Sequence, residues 1–99
     1  MSNVVLELIV VPELEFRVVE FLLSTEEGKG FHSFPVQGHG TSTECYNTDE
    51  LVAGKKKNLL FRLFLEEADA RSLVERLTGA FTGSGLRYFL LPALDGGEL

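Results

Sequence analysis

The sequence predicts an α+β fold in which four strands and two helices follow one another as βαββαβ. Two patterns carry this prediction: short runs of β-branched and other apolar residues, and two stretches whose apolar residues recur every three or four positions. A third observation is that several of the strands carry apolar residues on both faces. A length of 99 residues is enough for one domain with one hydrophobic core.

The first half of the chain contains a strand, a helix and a second strand. Residues 4–11 are apolar on both alternating faces, which predicts a strand that is buried on nearly both sides. Pro12 begins a helix, and Gly28 is predicted to end it in a left-handed conformation. The apolar stripe of this helix consists of Leu14, Val18, Phe21 and Leu22. The second strand covers residues 30–37, and Pro35 indicates a sheet edge or a bulge because proline cannot donate to the ladder.

The second half of the chain repeats the pattern. Residues 58–65 form a strand with two apolar faces, residues 67–81 form a helix, and residues 86–91 form the fourth strand. The apolar face of this helix consists of Ala70, Leu73, Val74, Leu77 and Phe81. With right-handed crossovers, this order gives a four-stranded antiparallel sheet with both helices on one face, the ferredoxin-like plait. We interpret residues 1–99 as one such domain.

Two helices can cover only one face of this sheet, yet the first, third and fourth strands are apolar on both. Burial of one Leu or Phe side chain contributes roughly 1.5–3 kcal/mol. An open face with several such side chains would be a large apolar patch. We therefore expect the sheets of several subunits to pack together. Longer loops folded over the open face are the alternative, for which the chain has few residues.

Composition excludes several classes of protein and favours a cytoplasmic location. A formal net charge of −6 argues against a general binder of nucleic acid or of anionic membranes, since both need a cationic face. The single cysteine cannot form an internal disulfide. No apolar run approaches the roughly 18 residues of a spanning helix, and the N-terminus lacks the pattern of a signal peptide.

A long polar segment between the second and third strands, about residues 38–57, holds most of the chemically active side chains. Long loops between strong strands in a compact domain are usually functional or disordered. Because residues 40–54 are polar and lack apolar periodicity, we expect them to be mobile until they bind a partner.

The candidate metal ligands are His32, His39 and Cys45, with Glu44 beside the cysteine. Imidazole and thiolate suit copper or zinc, although the spacing matches no compact metal motif. The ligands must be deprotonated, so affinity should fall on acidification. The alternative is that His32 is an ordinary strand residue, His39 a loop residue and Cys45 an inert thiol.

A second interpretation is an anion site made of backbone N–H groups, hydroxyls and cations. Its candidate residues are Gly38, His39, Gly40, Thr41, Lys55, Lys57, Gly83, Gly85 and Arg87. The glycine turn at residues 82–85 could face the loop from a neighbouring subunit. Equally, the glycines could simply turn the chain while the lysines are solvated and protect a strand edge.

Catalysis is weakly indicated, and we expect a protein that is not an enzyme. Ser42 and Cys45 lie near His39 in sequence, but no third orienting group or oxyanion hole can be identified.

The stretch GFHSFPVQGHG at residues 30–40, in a βαββαβ chain of this length, resembles the PII-like superfamily. More specifically it is similar to a small bacterial PII-like family in which G-F-x-S-F-P-V-x-G-H-G recurs. The resemblance implies a homotrimer whose sheets line a central core, and a regulator whose loop contacts a partner protein. Relatives of this type are linked to heavy-metal efflux, and a CutA-like branch to copper tolerance. The expected partner is therefore a membrane transport protein or another regulator.

The chain departs from the nucleotide-binding PII proteins at several positions. Their glycine-rich turn carries a lysine, whereas residues 82–85 carry none, and Arg87 is the only basic residue beyond this turn. The surroundings of Tyr46 do not match their modification segment. We therefore rank a metal ion above a nucleotide as the effector, and keep a nucleotide-binding regulator and a small enzyme at the inter-subunit cleft as alternatives.

Overall fold

The computed structural model describes residues 3–39 and 55–99. Its elements, in chain order, are β1 (Asn3–Val10), a short 3-10 helix (Pro12–Leu14), α1 (Glu15–Leu23), β2 (His32–His39), β3 (Lys55–Glu66), α2 (Glu67–Phe81) and β4 (Arg87–Pro92). The strands form one sheet in the order β2-β3-β1-β4, and all neighbours are antiparallel. The predicted α+β class and βαββαβ plait are confirmed.

The hydrophobic core lies between the helices and one face of the sheet. Alternate residues of β1 point into it, and Val4, Leu6, Leu8 and Val10 are all buried. The opposing residues on β3 include Phe61 and Leu63, which are also buried. The helices contribute Leu14, Val18, Leu22, Ala70, Leu73, Leu77 and Phe81. The two apolar stripes predicted from helical periodicity are therefore the core-facing ones, with Phe21 and Val74 at their margins.

Aromatic contacts join the layers of the core. Phe21 of α1 packs edge to face on Phe81 of α2 with ring centroids 5.7 Å apart, and this contact stabilises the packing of the two helices. Phe31, just before β2, stacks on Phe61 of β3 at 5.3 Å. Pro35 lies on β2, which is an edge strand, as its missing N–H predicted.

The prediction that Gly28 ends α1 in a left-handed conformation is wrong. The positive φ falls on Gly30 instead, at 79°. Gly28 is buried, and its backbone is hydrogen-bonded to Thr25. The Thr25 hydroxyl donates to the Leu22 carbonyl at 2.8 Å and accepts from the Gly28 N–H at 2.9 Å. A Cβ on Gly28 would lie 2.4 Å from Thr25 Oγ1 and 2.7 Å from the Leu22 oxygen. This glycine is needed for close packing.

The β2–β3 hairpin is longer than predicted. β2 continues to His39 and β3 starts at Lys55, with Gly38 opposite Lys56 and His39 opposite Lys55. The assignment of Gly38, His39 and Lys55–Lys57 to a loop is therefore wrong, because backbone pairing continues past the last apolar side chains. The predicted mobility of residues 40–54 lies outside the described residues.

Candidate functional site

The sheet face that the helices leave uncovered is the largest unusual feature of the described chain. We call it the open face; its side chains, which alternate with those of the core, include Val5, Glu7, Ile9, His32, Phe34, Leu60, Arg62, Phe64, Phe89 and Leu91. All of these except Leu60, which is buried, are at least partly exposed. Phe64 is 67% exposed and Phe89 49% exposed. Apolar side chains on both faces of the sheet were predicted from the sequence, and the structure confirms this arrangement.

An ion pair occupies the centre of the open face. Arg62 on β3 stands directly opposite Glu7 on β1, and its Nε and Nη2 donate to Glu7 Oε2 at 3.0 and 2.7 Å. The same guanidinium lies 5.3 Å from the ring centroid of Phe34 on β2. The charges in this central row are thus already paired, so covering the row would not bury an isolated charge.

The sequence-predicted anion ligands that the structure describes lie at one end of the sheet. Gly38 and His39 end β2, Lys55 and Lys57 begin β3, and the turn with Gly83 and Gly85 leads into Arg87 at the start of β4. β2 and β4 are opposite edges of the sheet, however, and three strand spacings amount to about 14 Å. Within one chain the two groups of residues share an end of the sheet but do not meet. Gly40 and Thr41 lie outside the described residues.

The glycine turn has a backbone explanation of its own. Gly83 and Gly85 have φ of 79° and 86°, a region that other residues rarely adopt. The Ser84 hydroxyl donates to the Phe81 carbonyl at 2.6 Å and so closes the turn at the end of α2. The conformation of the turn therefore requires these glycines whether or not they contact a ligand.

His32 and His39 are not brought together within one chain. They begin and end β2, seven residues apart, which corresponds to about 23 Å along a strand. An odd separation also places their side chains on opposite faces of the sheet. Cys45 lies outside the described residues, and residues 3–39 and 55–99 contain no group of three His, Cys, Asp or Glu side chains arranged to hold a metal ion. These two histidines could share a metal ion only if they came from different subunits.

A cleft beside α2 was not predicted from the sequence. It has a volume of about 240 Å³ and lies between the C-terminal half of α2, the 82–86 turn and β4. Leu77, Phe81 and Leu86 form apolar walls, while Thr78, Thr82 and Tyr88 add hydroxyl groups. No charged side chain is among its described lining residues, so the cleft suits an apolar group better than a phosphate or a metal ion. The sequence did contain one indication of this cleft. Thr78 and Thr82 are four residues apart, and each directly follows an apolar core residue, Leu77 or Phe81.

A βαββαβ plait with an apolar sheet face that its helices do not cover defines the structural class of the chain. The chain belongs to the family described as "Protein of unknown function (DUF3240)", whose model matches residues 1–99. No curated protein matches it in sequence.

Solved structures share this fold over nearly the whole chain. A DUF3240 family protein from Shewanella baltica is 19% identical with a TM-score of 0.78, covering 100% of this chain and 98% of that one. A Thermus thermophilus protein provisionally described as a PII-like signalling protein is 18% identical with a TM-score of 0.65, covering 94% and 91%. A functionally unknown protein from Pediococcus pentosaceus is 12% identical with a TM-score of 0.64, covering 100% and 99%. These likenesses support the resemblance to PII-like proteins at the level of the fold, and none tests the motif at residues 30–40.

Neither helix in the described part of the chain is long and apolar enough to cross a membrane.

Proposed function

We propose that this protein is a PII-like regulatory protein that acts by binding and not by catalysis. Copies of the chain associate through the open face, a small effector binds at the end of the sheet that carries the β2–β3 hairpin, and the segment between these strands contacts a partner protein. The observation that carries the proposal is the apolar open face. It occurs in a fold shared with a protein that is provisionally described as a PII-like signalling protein.

Self-association is the step with the most direct physical support. Burial of Phe64, Phe89 and Leu91 would remove a large apolar surface from water. The Glu7–Arg62 pair is 19% and 40% exposed and would enter the interface already paired. The number of copies, three, is the one that the PII-like resemblance implies.

Assembly is also what the effector site requires. The hairpin end of β2 and the glycine turn are at opposite edges of one sheet, so a neighbouring subunit would have to bring them together. The same holds for a metal site, since His32 and His39 of one chain are at opposite ends of β2. We propose copper or zinc as the effector with His39 as a ligand, because the net charge of −6 opposes an anionic ligand.

Calorimetric titration with Cu(I), Cu(II), Zn(II) and ATP tests the choice of effector. The expected result is heat of binding with a metal ion in the wild type and its loss in His39→Ala. Gln37→Ala is the control, because it removes an exposed polar side chain from the same strand. Loss of binding in His32→Ala as well would make His32 a second ligand, contributed by another subunit. Tight binding of ATP without heat from any metal ion would make a nucleotide the better candidate for the effector. No heat of binding with any of the four ligands would remove the effector from the proposal.

The partner and the absence of catalysis have separate tests. We propose a cytoplasmic role beside a heavy-metal efflux or other transport protein, and capture of that transporter should be lost when residues 40–54 are deleted. Turnover of a phosphate or ester substrate that disappears in His39→Ala or Cys45→Ala would instead establish an enzyme at the inter-subunit cleft.

A further inference from the structure

Helix α1 carries an apolar stripe on its outer surface, distinct from the one that faces the core. We call Phe16, Val19 and Leu23 the α1 stripe; Val19 is half-buried and also packs against the core, so Phe16 and Leu23 are its exposed members. Phe16 is 74% exposed and Leu23 54% exposed, although both lie on a helix of nine residues. Their spacing of i, i+3 and i+7 places all three on one side, over about 10 Å of helix length.

The α1 stripe points away from α2 and belongs to the helical layer. The opposite side of α1 contacts α2, where Phe21 packs on Phe81 and the Arg17 guanidinium lies 5.4 Å from the centroid of the same ring. Since the helices cover the other face of the sheet, the stripe is also separate from the open face. Association through the open face would therefore leave it accessible.

Acidic side chains border the α1 stripe. Glu15 and Glu20 lie on its two sides at helical spacing, and Glu13 and Glu26 are exposed just before and just after the helix. Of these four, only Glu26 has an ion-pair partner among the described residues, Lys29 at 3.3 Å. Arg17 is the single cation of α1, and it is placed on the side that contacts α2.

Helix stability does not account for all of these glutamates. Glu13 and Glu15 are at the N-terminal end, where the helix dipole favours anions. Glu20 lies in the C-terminal half, and the last turn of α1 contains no basic residue. Negative charge there opposes the dipole, so helix stability does not explain Glu20, which lies between the stripe and a groove that it lines with Arg17 and Phe81.

We propose that the α1 stripe docks a basic amphipathic helix of a partner protein. Apolar residues of that helix would contact Phe16, Val19 and Leu23, while Lys or Arg residues on its flanks would pair with Glu15 and Glu20. Charge selects this occupant over the others. A second copy would place acidic borders against each other, and an anionic membrane surface would be repelled.

Two synthetic peptides test the proposal. Both are amphipathic helices of about five turns with leucine along one face; one carries lysine on its flanks and the other glutamate. Fluorescence anisotropy with the full chain should show the lysine peptide binding roughly tenfold tighter or more, with a preference that shrinks at high salt. Equal affinity for the two peptides, or no binding of the lysine peptide, would overturn the proposal.

Variants with matched controls locate the site. Phe16→Ser combined with Leu23→Ser should weaken binding roughly tenfold or more, whereas Leu94→Ser, which alters a fully exposed leucine near the C-terminus, should not. Glu20→Lys should weaken binding, and Glu75→Lys on α2, which changes net charge equally, should not. The thermal melts of all variants show whether they are folded. Loss of binding in the control variants would contradict the assignment.

Further outcomes exclude the other occupants and separate this proposal from the function proposed above. Binding to phosphatidylglycerol vesicles that depends on Phe16 would make the site a membrane contact, and a fall in oligomeric mass in the stripe variant would make it a contact between copies. Either result overturns the proposal. Phe64→Ser on the open face should leave peptide affinity unchanged even if it changes the oligomeric state.

Discussion

Gly28 and Gly79 are both on the helical layer, and they should respond in opposite ways to an added methyl group. In Gly28→Ala the new Cβ would meet Thr25 Oγ1 at 2.4 Å, and relief of this overlap should cost about 1–3 kcal/mol of unfolding free energy. In Gly79→Ala, within α2, the Cβ meets nothing within 4 Å, so alanine should stabilise the protein by up to about 1 kcal/mol. Urea denaturation measures both changes. A stable or stabilised Gly28→Ala would contradict the close contact with Thr25, and a destabilised Gly79→Ala would contradict the open space around Gly79.

Removing one partner of the Glu7–Arg62 pair should lower the unfolding free energy more than replacing both partners with uncharged residues. Arg62→Met leaves the Glu7 carboxylate, only 19% exposed, without its partner, whereas the double variant with Glu7→Gln removes the charge as well. We expect the double variant to be more stable than Arg62→Met alone, by roughly 1 kcal/mol after allowance for solvent screening.

The control for this ion pair is Glu67–Arg71, an exposed pair on α2 at 2.8 Å. Arg71→Met should change stability by no more than about 0.5 kcal/mol, with or without Glu67→Gln. Denaturation at one fixed protein concentration compares all of these variants, because association shifts apparent stability. If the two pairs behaved alike, the open face would not shield Glu7 from solvent as described.

The Thr25 hydroxyl bonds two backbone groups in the turn that ends α1, so its removal should destabilise the end of this helix. Thr25→Val keeps the shape of the side chain but leaves the Gly28 N–H without its acceptor in a buried turn. We expect a loss of about 1–3 kcal/mol and faster amide exchange over the last turn of α1. Thr25→Ser, which keeps the hydroxyl, should lose clearly less. An equal loss in both variants would mean that the methyl group contributes as much as the hydroxyl group, which contradicts this account.

The strands and helices were predictable where side-chain periodicity carried the information. The buried face of β1 and the stripe of α2 follow directly from alternation and from helical spacing, because burial selects apolar residues at those positions. The end of β2 and the start of β3 could not be predicted in this way. Gly38, His39 and the lysines opposite them pair through their backbones, and their side chains show no apolar pattern. The role of Gly28 depends on contact with Thr25, which no local pattern encodes.

The candidate site was only partly predictable for a related reason. Sequence reasoning grouped residues that the structure places at one end of the sheet, but the two groups lie on its opposite edges, β2 and β4, as the strand order of the predicted plait requires. It also could not place His32 and His39 at opposite ends of β2, because that depends on where the strand begins and ends. The apolar cleft beside α2 escaped notice because its walls were interpreted as ordinary core.

In the whole molecule, the open face should be the surface through which copies associate. Phe64→Ser combined with Phe89→Ser would remove two of its largest exposed apolar side chains, and we expect the mass in solution to fall toward that of one chain. Phe16→Ser is the control, since it removes a similarly exposed phenylalanine from the helical layer. Sedimentation velocity compares the three proteins. A change in mass with Phe16→Ser alone would place the interface on the helices.

The mass of the unmodified protein tests the central claim most directly. Light scattering on the purified chain at low micromolar concentration should give three times the 11.0 kDa of one subunit, because the open face would be buried between copies. A mass of 11.0 kDa would contradict the proposed assembly and, with it, the effector site that assembly is required to complete.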